Sequence, residues 1–520
     1  MSIQSLSSRK KFIIMIGIMV GLLLAAIDST IVATAMPKII SNLNGFEYYA
    51  WPFTAFLLTL TISMPLFGKL ADLYGFKPTY IFGIIVFITA SALCGISQGM
   101  IELIIFRGLQ GIGGAILSSN SLAIIGLMYS AEQRAKYIGI AGAGAGLGSL
   151  LGPALGGFIV DNYSWRWIFY INVPIGIITL AIMLFALPNH KIVERGKKID
   201  FWGVITLIIA LIPMMLALTW GGSEYSWDSL QIISMFSFSA LMLIIFVFIE
   251  IKAVEPILPL SIFRNAVYNF SVLEIFLSSV IMIGAALFLP LFVQGVIGKS
   301  ASQSGAILTP LLVSMLIGSV ISGFIVSKTG KYKLQSFIGF LVIGIGAFLL
   351  ANMNVSTENS NVIIFMIVLG FGIGIVATIF NVTAQSSVTE DKMGVATSTV
   401  QFFKYSGQTI ASSVFGTVLS SSLKNGLQDM NTGKLPEDIV KLLKDPNILS
   451  NTASVKSMAS KLPNELLPDL SNIMIQMKQI LSDSIHNVFV ICIAISIFAA
   501  ISVLFLKGIP IKQKNKDTAI

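Results

Sequence analysis

The chain has 520 residues, of which 55% are hydrophobic and only 11% are charged, and its formal net charge is +9. A soluble domain carries about 25% charged residues. The composition therefore excludes an ordinary soluble protein and indicates an integral membrane protein. Two cysteines and two histidines, far apart in the sequence, give no disulfide framework and no metal-type cluster. We expect no enzyme activity and no cofactor or resident metal.

Apolar runs recur along the whole chain, and a run of about 20 such residues crosses a bilayer as a helix. The sequence predicts fourteen spans, so the fold class is an all-α integral membrane protein. The predicted ranges are 12–36, 51–71, 79–98, 102–128, 136–160, 166–187, 200–220, 230–250, 268–294, 303–326, 334–352, 361–385, 395–421 and 486–507. The first run is too long for the core of a signal peptide, so we expect it to remain as helix 1.

Basic residues mark the side of the membrane on which each loop lies, since cytoplasmic loops are enriched in lysine and arginine. With a cytoplasmic N-terminus, that side receives most of the basic residues, including those at 9–11, 191–198 and 507–516. The short outer loops keep Lys38, Arg166 and Lys299. An even number of spans returns the C-terminus to the cytoplasm. The positive charge is thus a topology signal in a plasma-membrane protein, and we expect no nucleic-acid partner.

One polar segment, residues 422–485, interrupts the apolar pattern on the outer face, between the last two predicted spans. Proline near the first turn of a helix suggests helix starts at 435–438 and 462–465. Apolar residues at helical spacing over 466–480 predict an amphipathic helix. We interpret the segment as a small helical cap.

An internal repeat divides the chain. The segment from Gly68 to Lys77, which follows helix 2, is repeated from Gly323 to Lys331, at the end of helix 10. Duplicated halves are typical of transporters. Ser327 stands in the second copy where the first has Asp72, so a role for charge is confined to the first copy. The predicted domains are residues 1–187 and 268–520, each a six-helix bundle, with two inserted helices in 188–267.

Four ionisable residues lie inside predicted spans: Asp28, Arg107, Glu274 and Lys404. Such residues are costly in hydrocarbon and are therefore functional candidates. Asp28 lies about 12 Å from the outer end of helix 1, and Arg107 lies about 8 Å into helix 4 from the same side, at 1.5 Å per residue. Their depths allow them to pair. The pair is either a proton-exchanging site or a permanent structural ion pair.

The other two ionisable residues have different surroundings. Glu274 lies within two turns of the inner end of helix 9, and it is either a second proton or cation site or a side chain that snorkels to the cytoplasm. Lys404 lies near the middle of helix 13, where snorkelling is difficult. Its charge is expected to face a cavity or an acidic partner.

Glycines recur every four residues in helix 5, at positions 144, 148, 152 and 156. They line one stripe of the helix and allow another helix to approach backbone to backbone. Pro153 removes one backbone donor and favours a kink. Taken alone, the stripe indicates ordinary small-residue packing; beside an acid–arginine pair, it also fits a hinge.

Six segments of the chain resemble motifs of one known family, the major facilitator superfamily, and in particular its fourteen-span drug:proton antiporter branch. The resemblance covers nearly the whole chain except the outer cap. Ala33, Leu73, Phe76 and Lys404 depart from the residues usual in these motifs. The motifs are the segments Ile27 to Pro37, Gly68 to Lys77, Leu103 to Gly113, Gly148 to Gly157, Trp165 to Gly176, and Gln401 to Gly407.

The resemblance implies the major facilitator fold, with two six-helix bundles that rock around a central cavity. It implies that Asp28 carries the proton and that Arg107 modulates it. Glu274, from its position in helix 9, stays a further candidate for proton coupling. The expected lining of the substrate cavity is Asp28, Gln110, Asn381 and Lys404. Expected gating residues are Gly68, Asp72, Gly75, Lys77, Gly148, Gly152, Pro153, Gly156 and Gly157.

The implied function is export of amphipathic or cationic drugs in exchange for protons. The expected partners are these compounds, protons and the lipid bilayer, and we expect a monomer. Two alternatives stay open at this stage. One is an importer, or a dedicated exporter of a metabolite or lipid; the other is a membrane sensor built on a transporter-like fold.

Overall fold

The computed structural model describes residues 6–129, 131–188, 200–221, 225–253, 256, 260–329, 332–388, 393–430 and 467–506. Regular secondary structure within these ranges is helical, apart from one isolated bridge between Gly221 and Tyr225. The long helices are α1 Ser8–Leu43, α2 Trp51–Tyr74, α3 Phe76–Ile96, α4 Met100–Met128, α5 Ala131–Asn162, α6 Trp167–Ala186, α7 Phe201–Trp220, α8 Leu230–Lys252, α9 Ala266–Leu291, α10 Ala301–Thr329, α11 Lys333–Ala351, α12 Asn359–Ser386, α13 Met393–Gln428 and α14 Leu467–Leu504.

Eleven of these helices, within the described ranges, are long and apolar enough to cross a membrane. The prediction of an all-helical membrane protein is therefore confirmed. The predicted number of spans was fourteen, and eleven of the described helices meet the length and hydropathy expected of a span. The helices outside the eleven are α2, α7 and α13. Helix α7 contains a shorter apolar stretch, Trp202–Leu218, and α13 carries many small and polar residues.

Long apolar side chains face outward from the helix bundle, and Phe185, Leu230 and Phe505 are among the most exposed. A continuous apolar surface of this kind is unfavourable in water and favourable in lipid. The helices also satisfy their own backbone hydrogen bonds, as a membrane requires. Prolines occur inside several helices, including α1 and α5, and the helices continue across them.

The packing of α1–α6 recurs in α9–α14, and we call these two sets the first half and the second half. In each half the second and fourth helices pack closely, as do the third and fourth. A Cβ atom added to Gly111 of α4 would overlap Thr59 of α2, and one added to Gly370 of α12 would overlap Ser314 of α10. The internal repeat in the sequence is thus matched by a repeat in helix packing.

Matching lysine contacts also join the helices of each half. Lys77, at the start of α3, donates to the carbonyl oxygen of Leu184 at the end of α6, at 2.7 Å. Lys333, at the start of α11, donates to the carbonyl oxygen of Leu504 at the end of α14, at 2.6 Å. A cation at a helix C-terminus complements the helix dipole, so both lysines stabilise helix ends.

Helices α7 and α8 pack on each other and beside α2 and α13. Ser239 of α8 donates to the carbonyl oxygen of Ala210 in α7, and Thr417 of α13 donates to that of Leu218. A small hydrophobic cluster joins α7 and α8 to α2 and α13 through Ile62, Leu207, Leu211, Phe246 and Phe402.

The predicted boundaries of the outer cap, residues 422–485, are wrong where the structure describes them. Residues 422–428 continue α13, and residues 467–485 form the first part of α14. The predicted amphipathic helix is the extension of the last helix rather than a separate element. The physical reason is that no proline or glycine lies between Asp469 and Leu504, so the helix passes without a break from its polar part into its apolar part. Residues 431–466 of the cap lie outside the described residues.

Candidate functional site

A buried ion pair lies in the first half. Arg107 of α4 donates from Nη1 to Oδ2 of Asp28 in α1, at 2.6 Å, and both side chains are fully buried. The pairing expected from their depths is therefore present. The same Nη1 atom donates to Oε1 of Gln110 at 2.8 Å. Gln110 in turn donates from Nε2 to Oδ1 of Asp28 at 2.7 Å, which closes a ring of three side chains from two helices.

A third helix contributes to the same carboxylate. Asn172 of α6 donates from Nδ2 to Oδ1 of Asp28, at 2.7 Å, and its Nδ2 also lies 3.0 Å from the hydroxyl oxygen of Ser91. Ser91 of α3 donates to the carbonyl oxygen of Phe169 at 2.9 Å. Asp28 thus accepts three hydrogen bonds, from donors on α4 and α6. We name Asp28, Arg107, Gln110, Asn172 and Ser91 the acid cluster.

The arginine of the acid cluster has unused hydrogen-bonding capacity. The centre of its guanidinium lies 4.2 Å from the ring centroid of Phe56 and 6.0 Å from that of Phe169. Its Nε and Nη2 atoms are buried and make no hydrogen bond with a described residue. Buried donors without partners are costly, and contact with an aromatic face offsets part of that cost. Arg107 therefore retains donors for another group.

A second buried acid lies in the second half. Glu274 of α9 is fully buried, and its Oε1 atom is hydrogen-bonded to the hydroxyl of Ser502 in α14. Its Oε2 atom has no hydrogen-bond partner among the described residues. The alternative in which Glu274 snorkels to the cytoplasm is wrong, because its side chain packs inward against α14 instead of reaching the surface.

The two other residues expected to line the cavity are half-buried and lie in the second half. Asn381 of α12 donates to the carbonyl oxygen of Ala377 within its own helix, at 2.7 Å. Lys404 of α13 has its ammonium 5.5 Å from the ring centroid of Tyr405, and it forms no ion pair with any described residue. Neither residue contacts the acid cluster.

The glycine stripe of α5 packs against α1, the helix that carries Asp28. Added Cβ atoms would lie 2.6 Å from the carbonyl oxygen of Leu23 at Gly148 and 2.7 Å from that of Ile31 at Gly156. At Gly152 the added atom would overlap the hydroxyl of Thr30. The stripe therefore brings the two backbones into close contact on either side of Asp28, as the four-residue spacing predicts.

The neighbouring face of α5 contacts α10 of the other half. A Cβ atom on Gly157 would overlap the backbone of Ala301, and one on Gly305 would overlap the carbonyl oxygen of Pro153. Helix α5 is therefore in tight contact with the helix of Asp28 on one face and with the second half on another.

The predicted gating loop between α2 and α3 is partly described. Gly75 has a φ of 97° and links the end of α2 to the start of α3, a conformation that favours glycine. Lys77 binds the end of α6 within its own half. A Cβ atom on Gly68 would have open space around it. The side chain of Asp72 lies outside the described residues.

Contacts between the halves concentrate at the end of the molecule away from the N-terminal end of α1. Gln294 donates to the carbonyl oxygen of Thr34 at 2.8 Å, and Tyr49 donates to that of Leu287 at 2.7 Å. Asp161 of α5 accepts hydrogen bonds from the backbone N–H groups of Ala301 and Ser302, at 3.0 and 2.7 Å. We call this set of contacts the closed end.

The opposite end is looser among the described side chains. A Cβ atom on Gly142 of α5 would meet nothing within 4 Å. One turn further along, at Gly146, the nearest atom belongs to Leu316 of α10 and lies 4.0 Å away. Among the described residues, the two halves are therefore in close contact at one end, and α5 makes no close contact with α10 at Gly142 and Gly146.

An all-helical, multi-pass architecture with duplicated halves and buried ionisable groups defines a protein of the secondary-transporter class. The chain belongs to the Major Facilitator Superfamily, whose family model matches residues 18–412.

Two similar relatives come from Bacillus subtilis (strain 168). The Multidrug transporter protein MdtP is 39% identical over 98% of this chain and 94% of its own length. Multidrug resistance protein 3 is 36% identical over 98% of this chain and 96% of its own length.

Solved structures share the fold at low sequence identity. A bacterial homologue of the human lysosomal transporter Spinster, in an inward-facing and unoccupied conformation, has a TM-score of 0.63 at 15% identity and covers 96% of this chain and 98% of its own. The D-xylose-proton symporter has a TM-score of 0.58 at 15% identity, and the match covers 78% of this chain and 90% of the symporter chain.

Sequence reasoning included Asp28, Arg107 and Gln110 among the site residues but gave no role to Asn172 or Ser91. Asn172 is a polar side chain in an apolar run, within a segment that the family resemblance already marks, and this was the available signal. Ser91 gives no such signal, because an isolated serine in a membrane helix commonly bonds to its own backbone.

Proposed function

We propose that this protein exports amphipathic drugs from the cell in exchange for protons, by alternating access. The observation that carries the proposal is the acid cluster: a carboxylate, fully buried, is held by donors from two other helices in a molecule closed at one end. The names of the two Bacillus relatives, which refer to multidrug transport and resistance, support drugs as the cargo.

Movement of α1 is the proposed coupling step. In this conformation Asp28 is sealed from water, and its oxygens are occupied by Arg107, Gln110 and Asn172. A proton reaches Asp28 only when α1 shifts relative to α4 and α6, so proton exchange and helix movement occur together. Arg107 then keeps its charge among aromatic rings, with free donors for a substrate or a carbonyl group.

Helix α5 is the proposed mechanical link between the halves. It packs on α1 through the glycine stripe and on α10 around Pro153. When the closed end opens, α10 withdraws from α5, and the shift passes to α1 through backbone contacts that leave little slack. This supports the hinge interpretation of Gly148, Gly152 and Gly156.

Glu274 is the proposed second proton site. Ser502 lies 2.9 Å from the carbonyl oxygen of Ala499 and also bonds to Glu274. A hydroxyl has only one proton to donate. If Ser502 donates it to the carbonyl oxygen of Ala499, then the bond between Ser502 and Glu274 needs a proton on the carboxyl group, and Glu274 is neutral.

Described charged and titratable groups on α9 and nearby helices make other contacts. On α9 itself, Tyr268 donates to the carbonyl oxygen of Ala396. On α11, Lys333 binds the end of α14, and on α13, Lys404 lies near Tyr405. Among the described residues none forms an ion pair with Glu274, which supports a protonated state.

The finer topology is also part of the proposal. We place fourteen spans in the cell membrane, with α2, α7 and α13 crossing beside the eleven apolar helices, and both termini in the cytoplasm. The close packing of α2 and α13 on neighbouring spans supports this count. The closed end is then the outer end, so this conformation faces inward. Asp72 acts in the inner latch, two six-helix bundles move as units, and the protein works as a monomer.

The test is dye efflux from cells that lack their own pumps, followed by the purified protein in proteoliposomes. An imposed gradient with acid on the outer side is expected to drive export, and Asp28→Asn is expected to abolish it in normally folded protein. Efflux that survives Asp28→Asn unchanged would contradict the coupling step. Uptake driven by the same gradient would favour an importer, and the absence of flux for any compound would favour a sensor.

A further inference from the structure

Lys404 is a half-buried cation in the interior of α13. Lys404 lies about 16 Å along α13 from its first residue, Met393, at 1.5 Å per residue. A lysine side chain is too short to reach the membrane surface from that depth. Its backbone is fixed, because Ser279 of α9 donates to the carbonyl oxygen of Lys404 at 2.9 Å.

The neighbouring residues of α13 show which way Lys404 points. Gly407 packs on Ser279 and Phe276 of α9. On another face of the helix, Ser412 is hydrogen-bonded to Thr54 of α2 at 2.9 Å. At 100° per residue, position 404 falls between these two faces. Its half-exposed side chain therefore emerges where α9 of the second half and α2 of the first half line the space between them.

This space lies on the open side of the closed end. The contacts that shut the molecule, such as Gln294 with Thr34, are further out. On the inner part of α2, an added Cβ atom at Gly68 would meet nothing within 4 Å. Lys404 is thus accessible to a molecule that enters between the halves.

The other ionisable side chains deep in the described spans are fully buried and have partners of their own. Asp28 and Arg107 neutralise each other and are fully buried, and Glu274 is fully buried against Ser502. Lys404, in contrast, forms no ion pair with a described residue, and its ammonium lies 5.5 Å from the ring centroid of Tyr405. An ammonium in a low-dielectric space is costly without an anion.

We propose that Lys404 binds the acidic group, a carboxylate or sulfonate, of anionic amphipathic substrates. The aromatic rings of Tyr405, beside the ammonium, and of Phe276, which packs on Gly407 one turn along α13, suit the apolar body of such a molecule. The same charge repels cations, so this proposal replaces the cationic cargo expected from sequence alone. It rests on the proposed transport function, whose cargo it specifies.

The test uses three probes with one apolar body: 1-pyrenebutanoate, its methyl ester, and the corresponding trimethylammonium compound. Equilibrium binding is measured on the full chain in nanodiscs, with empty nanodiscs subtracted. We expect the wild-type protein to bind the acid at least tenfold more tightly than the ester, and the ester more tightly than the cation.

Three substitutions separate charge from structure. Lys404→Met is expected to remove the tenfold preference for the acid and leave ester binding unchanged. Lys404→Arg is expected to keep the preference, and Lys404→Glu to reverse it towards the cation. Lys38→Met, at an exposed lysine near the end of α1, is the matched control and is expected to change nothing. Ester binding reports that each variant is folded.

The outcomes distinguish this proposal from the one on which it rests. Equal affinity for acid and ester, or a preference for the acid that survives Lys404→Met, overturns the role of Lys404 even if gradient-driven export occurs. Acid binding that depends on Lys404 supports the role, even if no proton gradient moves the acid and the exporter assignment fails.

Discussion

The two halves of the molecule have the same packing but different chemistry. Gly111 of α4 and Gly370 of α12 make equivalent contacts with the second helix of their halves. Four residues before these glycines lie Arg107 in the first half and Met366 in the second. The fifth helix of each half also packs on the first through a glycine. Gly152 of α5 contacts Ile27 and Thr30 of α1, and Gly407 of α13 contacts Phe276 and Ser279 of α9, so Ile27 corresponds to Phe276 and Thr30 to Ser279. The equivalent of Asp28 in the second half is therefore Leu277.

The difference shows that the ion pair is not required to hold such a bundle together. The second half packs its equivalent helices with Leu277 and Met366 in the place of the acid and the arginine. Replacing a buried ion pair by apolar residues is often neutral or stabilising. The pair in the first half is thus better explained by function than by stability. The second half has its own acid, Glu274, one turn from the equivalent position and directed at α14.

The largest effect is expected when only one partner of the pair is removed. Arg107→Met leaves Asp28 buried without its cation, and we expect this to cost about 3 to 5 kcal/mol of stability. Thermal unfolding in detergent measures the loss. The double variant Asp28→Leu with Arg107→Met reproduces the second half and should regain most of the stability without regaining proton-driven export. A double variant as unstable as the single one would contradict the equivalence of the halves.

A smaller loss is expected from a bulky residue in the glycine stripe. In Gly152→Leu the side chain overlaps Thr30 beside Asp28, and overpacking of this kind costs about 1 to 3 kcal/mol. Because α1 must still move, we expect export to fall at least tenfold while membrane insertion is retained. Gly142→Leu is the matched control, since its Cβ atom has open space. Equal loss of insertion and export at Gly152 would favour ordinary packing over a hinge.

The next effect concerns Asn172, a hydrogen-bond donor to Asp28 that is not a member of the ion pair. Asn172→Ala removes one of the three hydrogen bonds to Asp28, and hydrogen bonds to charged groups contribute about 1.5 to 3 kcal/mol. We expect a loss of stability towards the lower end of that range, since Arg107 and Gln110 still donate to Asp28. Proton-driven export should also fall, because the carboxylate is less well held by its partners. Ser91→Ala, which changes only the second contact of Asn172, is the milder comparison. Unchanged proton-driven export in Asn172→Ala would count against the coupling role.

Much of the first half could be predicted from sequence. Asp28 and Arg107 are rare charges in apolar runs, and the rise of a helix fixes their depths. The glycine spacing fixes one stripe of α5, and the structure places α1 against it. These inferences succeed because each depends on one helix at a time.

Other features depend on contacts between helices and were therefore missed. Nothing in the sequence of α6 selects Asp28 as the partner of Asn172, because the rotation of one helix about another is set by packing. The same holds for Glu274, whose partner Ser502 is one of many serines in the spans. The N-terminal extension of α14 was missed for a different reason. Hydropathy changes near residue 486, whereas the helix continues through that point without a break.

The smallest effect on stability is expected for the acid of the second half. If Glu274 is neutral, Glu274→Gln keeps its shape and charge and can still donate a hydrogen bond to Ser502. Stability should therefore change by no more than about 1 kcal/mol, the net contribution of one hydrogen bond. Transport should change all the same, because one proton-binding group is lost. The ratio of protons to substrate, measured from the gradient at which net flux reverses in proteoliposomes, is expected to fall. Ser502→Ala removes the partner and keeps the acid, so it should leave that ratio intact. A loss of more than about 2 kcal/mol in Glu274→Gln would mean that the acid is charged and held by a cation, and the two halves would then differ less than their contacts indicate.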